Sequence, residues 1–322
     1  MLTRRTVVAS LAGLALMRPA SAQTFPNRSL TIVVPYPAGG PVDVVARLIA
    51  LPMGGELGQT ITVDNRGGGA GTIGTLAVAR ADADGHTLVL GTNQTHATNQ
   101  SLIKNIPYDG VKDFAPVAGI ADIPHVLVTK KALAAADVRA LVALAKSQPG
   151  KLSYGSTGNG SASHLAAELF KTKSGTDIVH IPFRGAAPMT TELLAGRLDL
   201  SFATLPSVIT QIEAGELRAL AVASGKRAAR LPNVPTLAEA GVAGVEADAW
   251  FALFAPAQTQ PAVIDRLYKA VSSTLSQSAV ATALATQGMT VSLRSPTEMA
   301  AWLPGEVAKW AAVIKAANVT VD

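Results

Sequence analysis

The chain has 322 residues, of which 48% are hydrophobic and 15% charged, with no cysteine and a formal charge of +5. That length suits two domains or one large one, and the composition is that of a folded globular protein, not a disordered or coiled-coil one. Without cysteine there is no disulfide, iron–sulfur cluster, thiol nucleophile or Cys-ligated zinc.

At the start of the chain, Arg4 and Arg5 precede an apolar run over residues 7–17, and Ala20-Ser21-Ala22 forms a small-residue cleavage site. This is the pattern of a signal peptide, and the run is too short to span a bilayer. Thr3-Arg4-Arg5-Thr6 also resembles a twin-arginine signal, so Sec and Tat export both stay open. The expectation is a signal peptide over residues 1–22, cleaved near Ala22, and a mature periplasmic protein beginning near Gln23. Outside the cytoplasm there is no ATP or NAD pool. Without Arg4, Arg5 and Arg18 the chain keeps 24 Lys and Arg against 22 Asp and Glu. A net charge of +2, dispersed along the sequence, does not describe a nucleic-acid binder.

From residue 23 onward, strands and helices alternate. Residues 30–35 (LTIVVP) predict a strand and 41–53 a helix, with Pro41 suited to its first position. Strands at 60–63 and 86–90 enclose a helix at 73–80, and 114–120 and 125–129 are extended. The series then restarts. Strands are expected at 152–154, 177–181, 198–202 and 217–223, with helices at 161–171, 188–196 and 206–214 between them. A strand at 250–254 precedes helices at 261–276, 279–286 and 297–317, with Pro304 expected to kink or split the last. Met299, Trp302, Leu303, Val307, Trp310 and Ile314 form a core stripe there. Short βα connections imply mainly parallel sheets covered on both faces. Two such rounds imply two α/β lobes. The first lobe begins at residues 23–123 and the second spans 124–243. Residues 244–322 return to the first lobe, whose surface the C-terminal helices cover.

The chemistry gathers in the loops that join strands to helices. The first, Pro35-Tyr36-Pro37-Ala38-Gly39-Gly40-Pro41-Val42-Asp43, lets main-chain N–H groups approach an anion at a helix N-terminus. It is equally a tight turn whose helix end is satisfied by Asp43. No Gly-Lys-Ser/Thr follows, so it is not a phosphate-binding Walker loop. In the second loop, Gly69, Gly71 and Gly74 match the dinucleotide fingerprint. The next strand, however, ends Leu90-Gly91-Thr92-Asn93, without the acid that holds the ribose. The third loop, Gly155-Ser156-Thr157-Gly158-Asn159-Gly160-Ser161, places Ser161 as a helix N-cap. Free hydroxyls on Ser156, Thr157, Ser161 and Ser163 are expected beside it. Tyr154 stands where a nucleophile elbow needs glycine, and His164 is too near Ser161 on the same helix to act as its base. Arg184, in the fourth loop, suits either an anion or the solvent. The fifth loop, residues 203–207, repeats the layout. His86, His96, His125, His164 and His180 show no metal-ligand spacing.

The motifs VVPYPAGGPVDVVAR (33–47), VDNRGGGAGTIG (63–74), YGSTGNGSASHLAAELF (154–170), IPFRGAAPMTTELLAGRLDL (181–200), LAVASGKRAARLPNVPTLAEAG (220–241) and WFALFAP (250–256) occur in an order that resembles the receptors of tripartite tricarboxylate transporters, the TctC or Bug family. The resemblance covers nearly the whole mature chain. It implies a type II periplasmic-binding-protein-like α/β fold of two lobes with a ligand cleft between them. It also implies a small carboxylate bound by Tyr36, Ala38, Gly39, Gly40 and Asp43 from one side. Ser156, Thr157, Gly160, Ser161 and His164 are implied from the other, joined by Ala187 and Thr204. Thr92 and Asn93 are secondary candidates. Gly67 replaces a usual Pro and Phe183 a frequent Tyr, and Pro304 is unusual in the last helix.

The implied ligand is a mono-, di- or tricarboxylate or an amino acid, and the implied partners are the transporter's membrane subunits. The receptor is expected to be a monomer, neither an enzyme nor cofactor-dependent. The alternatives are a secreted serine hydrolase using Ser161 or Ser156, and a periplasmic sensor for a carboxylate.

Overall fold

The computed structural model describes residues 25–321, and the expected signal peptide lies outside them. The first round consists of β1 (Leu30–Val34), α1 (Pro41–Leu57), β2 (Ile61–Asn65), α2 (Thr72–Ala79) and β3 (Thr87–Thr92). A π-helical turn, Gln94–Thr98, continues into the short α3 (Asn99–Leu102). Next come β4 (Phe114–Ile123), β5 (His125–Lys130) and α4 (Val138–Ser147). The second round is β6 (Ser153–Ser156), α5 (Ala162–Ser174), β7 (Val179–Pro182), α6 (Ala186–Leu194), β8 (Leu200–Thr204), α7 (Leu205–Glu213) and β9 (Leu217–Val222). The chain ends with β10 (Ala249–Pro256), α8 (Pro261–Ser276), α9 (Ser278–Thr286), β11 (Thr290–Val291) and α10 (Pro296–Ala316).

These strands form two sheets, ordered β11-β4-β10-β3-β1-β2 and β7-β6-β8-β5-β9. Pro124 alone separates β4 in the first sheet from β5 in the second. The return passes through Ala247, whose N–H donates to the Ala223 carbonyl at 2.7 Å and whose own carbonyl lies 2.7 Å from His125 Nδ1.

The sheets are mixed, which corrects the expectation of mainly parallel ones. β1 is parallel to β2 and β3, and β6 to β7 and β8. β10 is antiparallel to both β3 and β4, and β5 to both β8 and β9. The reason is topological. A strand that enters a lobe from the other lobe starts at the end where the parallel strands finish, so it must run against them.

Pro304 does not split the last helix. α10 is one element, with Met299, Leu303, Trp310 and Ile314 buried as the stripe predicts, and Trp302 and Val307 partly buried beside them. Pro304 and Ala300, whose carbonyl loses its partner, are both exposed. Water therefore takes up the lost hydrogen bond while the buried face holds the helix in place. α4, with its Asp137 N-cap accepting from Ala140 N–H at 2.8 Å, has no counterpart in the sequence-based assignment.

One apolar cluster lies under α1, α8 and α9 on one face of the first sheet. Another lies under α6 and α7 on the second. A third runs from Val33 and Val89 through Phe254, Trp250 and Trp310 to Tyr154, Phe170 and Phe202. Burial across the lobe boundary thus holds the sheets together, and α10 touches both β4 and α5.

Candidate functional site

In each sheet the strand order reverses direction around the strand that opens the round. From β1 the chain moves to β2 on one side and then to β3 on the other; from β6 it moves to β7 and then to β8. Loops leaving the carboxyl ends of such strands diverge and open a crevice between them. In the first lobe that crevice lies between the ends of β1 and β3, where Tyr36 and Thr92 meet with their hydroxyls 2.9 Å apart. Tyr36 Oη also donates to Gln94 Oε1 at 3.1 Å. Burial holds this phenol well above its ordinary pKa, so it remains a neutral donor. Asn93, at 3% exposure, has an Nδ2 with no hydrogen-bond partner.

The first-strand loop is braced from beneath. Asp43 is buried; its carboxylate accepts the Gly39 N–H at 2.9 Å and pairs with Arg47 at 3.0 Å. Arg47, followed by burial and the Gly39 bond as opposing and assisting causes, leaves the Asp43 carboxyl below its ordinary pKa. Asn65 links Arg47 to the Tyr36 carbonyl. Asp43 is therefore a brace, with its charge already satisfied. Ala38 and Gly39 are exposed, and Gly39 adopts φ +82° with open space where a Cβ would stand. No side chain caps α1 at Gly40, and Pro41 contributes no N–H. The loop thus presents main-chain amides and the positive end of a helix dipole, with no cationic side chain.

In the second lobe the crevice lies between the ends of β6 and β8. The hydroxyls expected to be free are largely occupied. Ser161 Oγ donates to the Gly158 carbonyl at 2.7 Å and accepts from His164 N–H at 3.3 Å as the N-cap of α5. Ser163 Oγ accepts the Thr157 N–H at 2.9 Å. Ser156, fully buried, has its Oγ 2.7 Å from His180 Nε2. Short-range partners supplied by the glycine-rich turn saturate these groups. Thr157 is half-buried, and Ser163 is its hydroxyl's partner at 3.1 Å. Gly160 gives its N–H to His164 Nδ1 at 3.0 Å, so the neutral His164 ring carries its hydrogen on Nε2. Ala187 is exposed in the first turn of α6, which has no side-chain cap. Thr204, at the start of the equally uncapped α7, reaches Ser207 Oγ at 3.2 Å. Arg184 is exposed.

A Cβ on Gly160 would lie 2.7 Å from Leu102 Cδ1 and 3.1 Å from Val321 Cγ1, so the second-lobe loop rests against the first lobe. Gly160 is thus an interlobe contact as well as a loop residue.

Sequence reasoning passed over His180 and Gln94. The β6–β7 register sets Tyr154 opposite His180. The rings of Tyr154, His180 and His164 then stack, with centroids 4.8 and 3.8 Å apart. Nothing local in the sequence signals a stack assembled from three elements. Gln94 had one available cue, its place two residues beyond a strand end at the reversal point.

A sequence profile described as "Tripartite tricarboxylate transporter family receptor" matches residues 45–319. The chain belongs to this receptor family. Protein BugT of Bordetella pertussis is 38% identical over 298 residues, covering 92% of this chain and 91% of BugT. Among solved structures, R. palustris Rpa4515 with adipate superposes with a TM-score of 0.82 at 38% identity, covering 92% of this chain and all of that one (100%). MatC from Rhodopseudomonas palustris with bound malate gives 0.78 at 34% identity, covering 90% of this receptor and 100% of MatC. The receptor therefore has the two-lobed α/β solute-binding fold expected from its motifs. No helix among the described residues is long and apolar enough to cross a membrane.

Proposed function

We propose that this receptor captures a small organic acid in the periplasm by closing its lobes, and delivers it to the membrane subunits of a tripartite transporter. A ligand carboxylate sits on the main-chain amides of Ala38 and Gly40 and the uncapped start of α1, while Asp43 holds the Gly39 amide. Tyr36, Thr92 and Asn93 supply side-chain hydrogen bonds. From the other lobe come Thr157, Thr204 and the amide end of α6 at Ala187. Ser156, Gly160, Ser161 and His164 hold that loop in shape.

The observation that carries this reading is the first-strand loop itself. It has an exposed Ala38 and a half-buried Gly40 at an uncapped helix end, with the Gly39 N–H between them held by Asp43, beside a buried Asn93 amide without a partner. Hydrogen bonds to a charged group contribute about 1.5–3 kcal/mol each. Three or four of them approach the roughly 8 kcal/mol of micromolar affinity, before closure takes back a share. The adipate and malate in related structures support a carboxylate as the guest.

The test is Gly40→Asp. Gly40 has φ −78°, and a Cβ there would meet only the Pro37 carbonyl, at 3.6 Å, so the variant keeps its fold. Its carboxylate would occupy the place of the ligand's. A calorimetric panel of mono-, di- and tricarboxylates on the mature protein should lose affinity about a hundredfold or more. Unchanged affinity in the variant overturns the reading.

A further inference from the structure

Beside Pro124, a helix end of the first lobe meets a cation of the second. α9 ends at Thr286, and Val280, Leu284 and Met289 anchor its last turns in the first lobe's core. The chain closes that end locally. Gln287 N–H donates to the Ala283 and Leu284 carbonyls, Gly288 N–H to the Ala285 carbonyl, and Met289 N–H to the Leu284 carbonyl. None of these donors reaches the Thr286 carbonyl, one of the four that a helix end leaves unpaired. Its partner comes from the other lobe: Arg230 Nη1 donates to it at 2.9 Å. Ala228 and Leu231, which flank Arg230, are buried with Val126 and Val208 in the core of the second lobe.

Arg230 is held in place for this bond. It is half-buried, and its other terminal nitrogen pairs at 2.5 Å with Glu213, the last residue of α7. That ion pair aims the planar guanidinium across the seam, and the dipole of α9 favours a positive charge at its C-terminal end. Gly288 permits the close approach. It adopts φ +72°, and a Cβ there would lie 3.0 Å from Leu205 Cγ of the second lobe. Leu205 follows Thr204 and donates its N–H to the Pro124 carbonyl at 2.8 Å. The space left between these contacts is only about 110 Å³, bordered by Pro124, Leu205, Arg230 and Met289. Turning one lobe against the other about Pro124 must stretch the Arg230 bond or shut that space.

We infer that Glu213, Arg230 and the Thr286 carbonyl form a latch that holds the two lobes at the angle of the structure. Releasing it frees the lobes to turn about Pro124, and shifts Thr204, the neighbour of Leu205, relative to the first-strand loop. The part that the latch plays in capturing an acid rests on the function proposed above, but the latch itself does not.

Because the chain has no cysteine, spin labels can be placed without side reactions. Leu51→Cys on α1 and Leu194→Cys on α6, both at exposed positions, put one label on each lobe. Pulsed electron spin resonance then reads the interlobe distance in the mature protein without any ligand, so its outcome is separate from that of the Gly40→Asp panel. The parent should show one main distance. Arg230→Ala should shift the balance of lobe arrangements about tenfold or more, seen as a second or displaced maximum. Arg227→Ala is the control. Arg227 lies on the same segment but bonds Glu239 at 2.8 Å and the Pro232 carbonyl at 3.1 Å, both within its own lobe, so its loss should leave the distance as in the parent. An unchanged distribution in Arg230→Ala, or the same change in Arg227→Ala, overturns the latch.

Discussion

The Ser156 hydroxyl lies 2.7 Å from His180 Nε2, the spacing of a nucleophile and its base. The surroundings give the pair a different role. Ser156 is fully buried, and its Oγ also bonds the Gly158 carbonyl at 3.1 Å and accepts the Gly158 N–H at 3.2 Å. His180 is pushed down to about 4, first by burial and then by its neighbour His164. The contact ties the glycine-rich loop to β7, so Ser156 is a positioning residue. A serine that no substrate carbonyl reaches does not attack one.

Ser156→Ala should therefore lower stability by about 1 kcal/mol through lost hydrogen bonds, and weaken acid binding modestly by loosening the loop. Parent and variant should show the same background rate toward p-nitrophenyl esters. Ester turnover by the parent that disappears in Ser156→Ala would establish the hydrolase alternative.

Three buried histidines, His96, His125 and His164, and the half-buried His180 predict sensitivity to acid. His96 is pushed down to about 3, and His125, His164 and His180 to about 4, with burial the largest cause each time. The folded values lie below the ordinary 6.5, so the unfolded chain takes up protons that the fold refuses. Their contribution to stability is complete above pH 6.5 and lost as pH falls toward 4. The thermal midpoint should drop across that window. His180→Phe keeps a ring between Tyr154 and His164, so it should flatten the drop while lowering the midpoint near neutrality, where the Ser156 contact is lost. A midpoint indifferent to pH across the window would contradict this account.

Asp248, just before β10 where the chain returns to the first lobe, works in the opposite sense. Burial raises it to about 7, and Asp122 and Glu306 add repulsion against the opposing Ser224 hydrogen bond and Lys309. Its folded value exceeds the ordinary 3.8, so its contribution is present below that pH and lost as pH rises through about 7. Asp248→Asn keeps an acceptor for the Ser224 hydroxyl and removes the buried charge. Urea midpoints should rise for the variant above pH 7 and converge with the parent's near pH 4. The same difference at both ends of the range would show that the carboxylate's titration is irrelevant to the fold.

Most of the fold was legible because its signals are local. Pro41, Ser161, Pro206, Pro261 and Thr297 mark helix starts within one turn of their observed positions, and alternating βα runs announce the lobes. α4 was passed over despite a local signal, its Asp137 N-cap, but the other exceptions depend on distant chain. β10 runs antiparallel because it arrives from the other lobe. Pro304 is tolerated because its face of α10 meets water.

The sequence by itself determined the two βα rounds, the glycine loops at strand ends and the family's order of motifs. These are properties of residues a few positions apart, where caps, turns and periodicity act. Only the tertiary structure decided that Tyr36 meets Thr92 across 56 residues and that the loop hydroxyls satisfy one another. Such relations arise when the sheets bury their faces and bring remote loops to one seam, and no local pattern of residue types records which loops will meet.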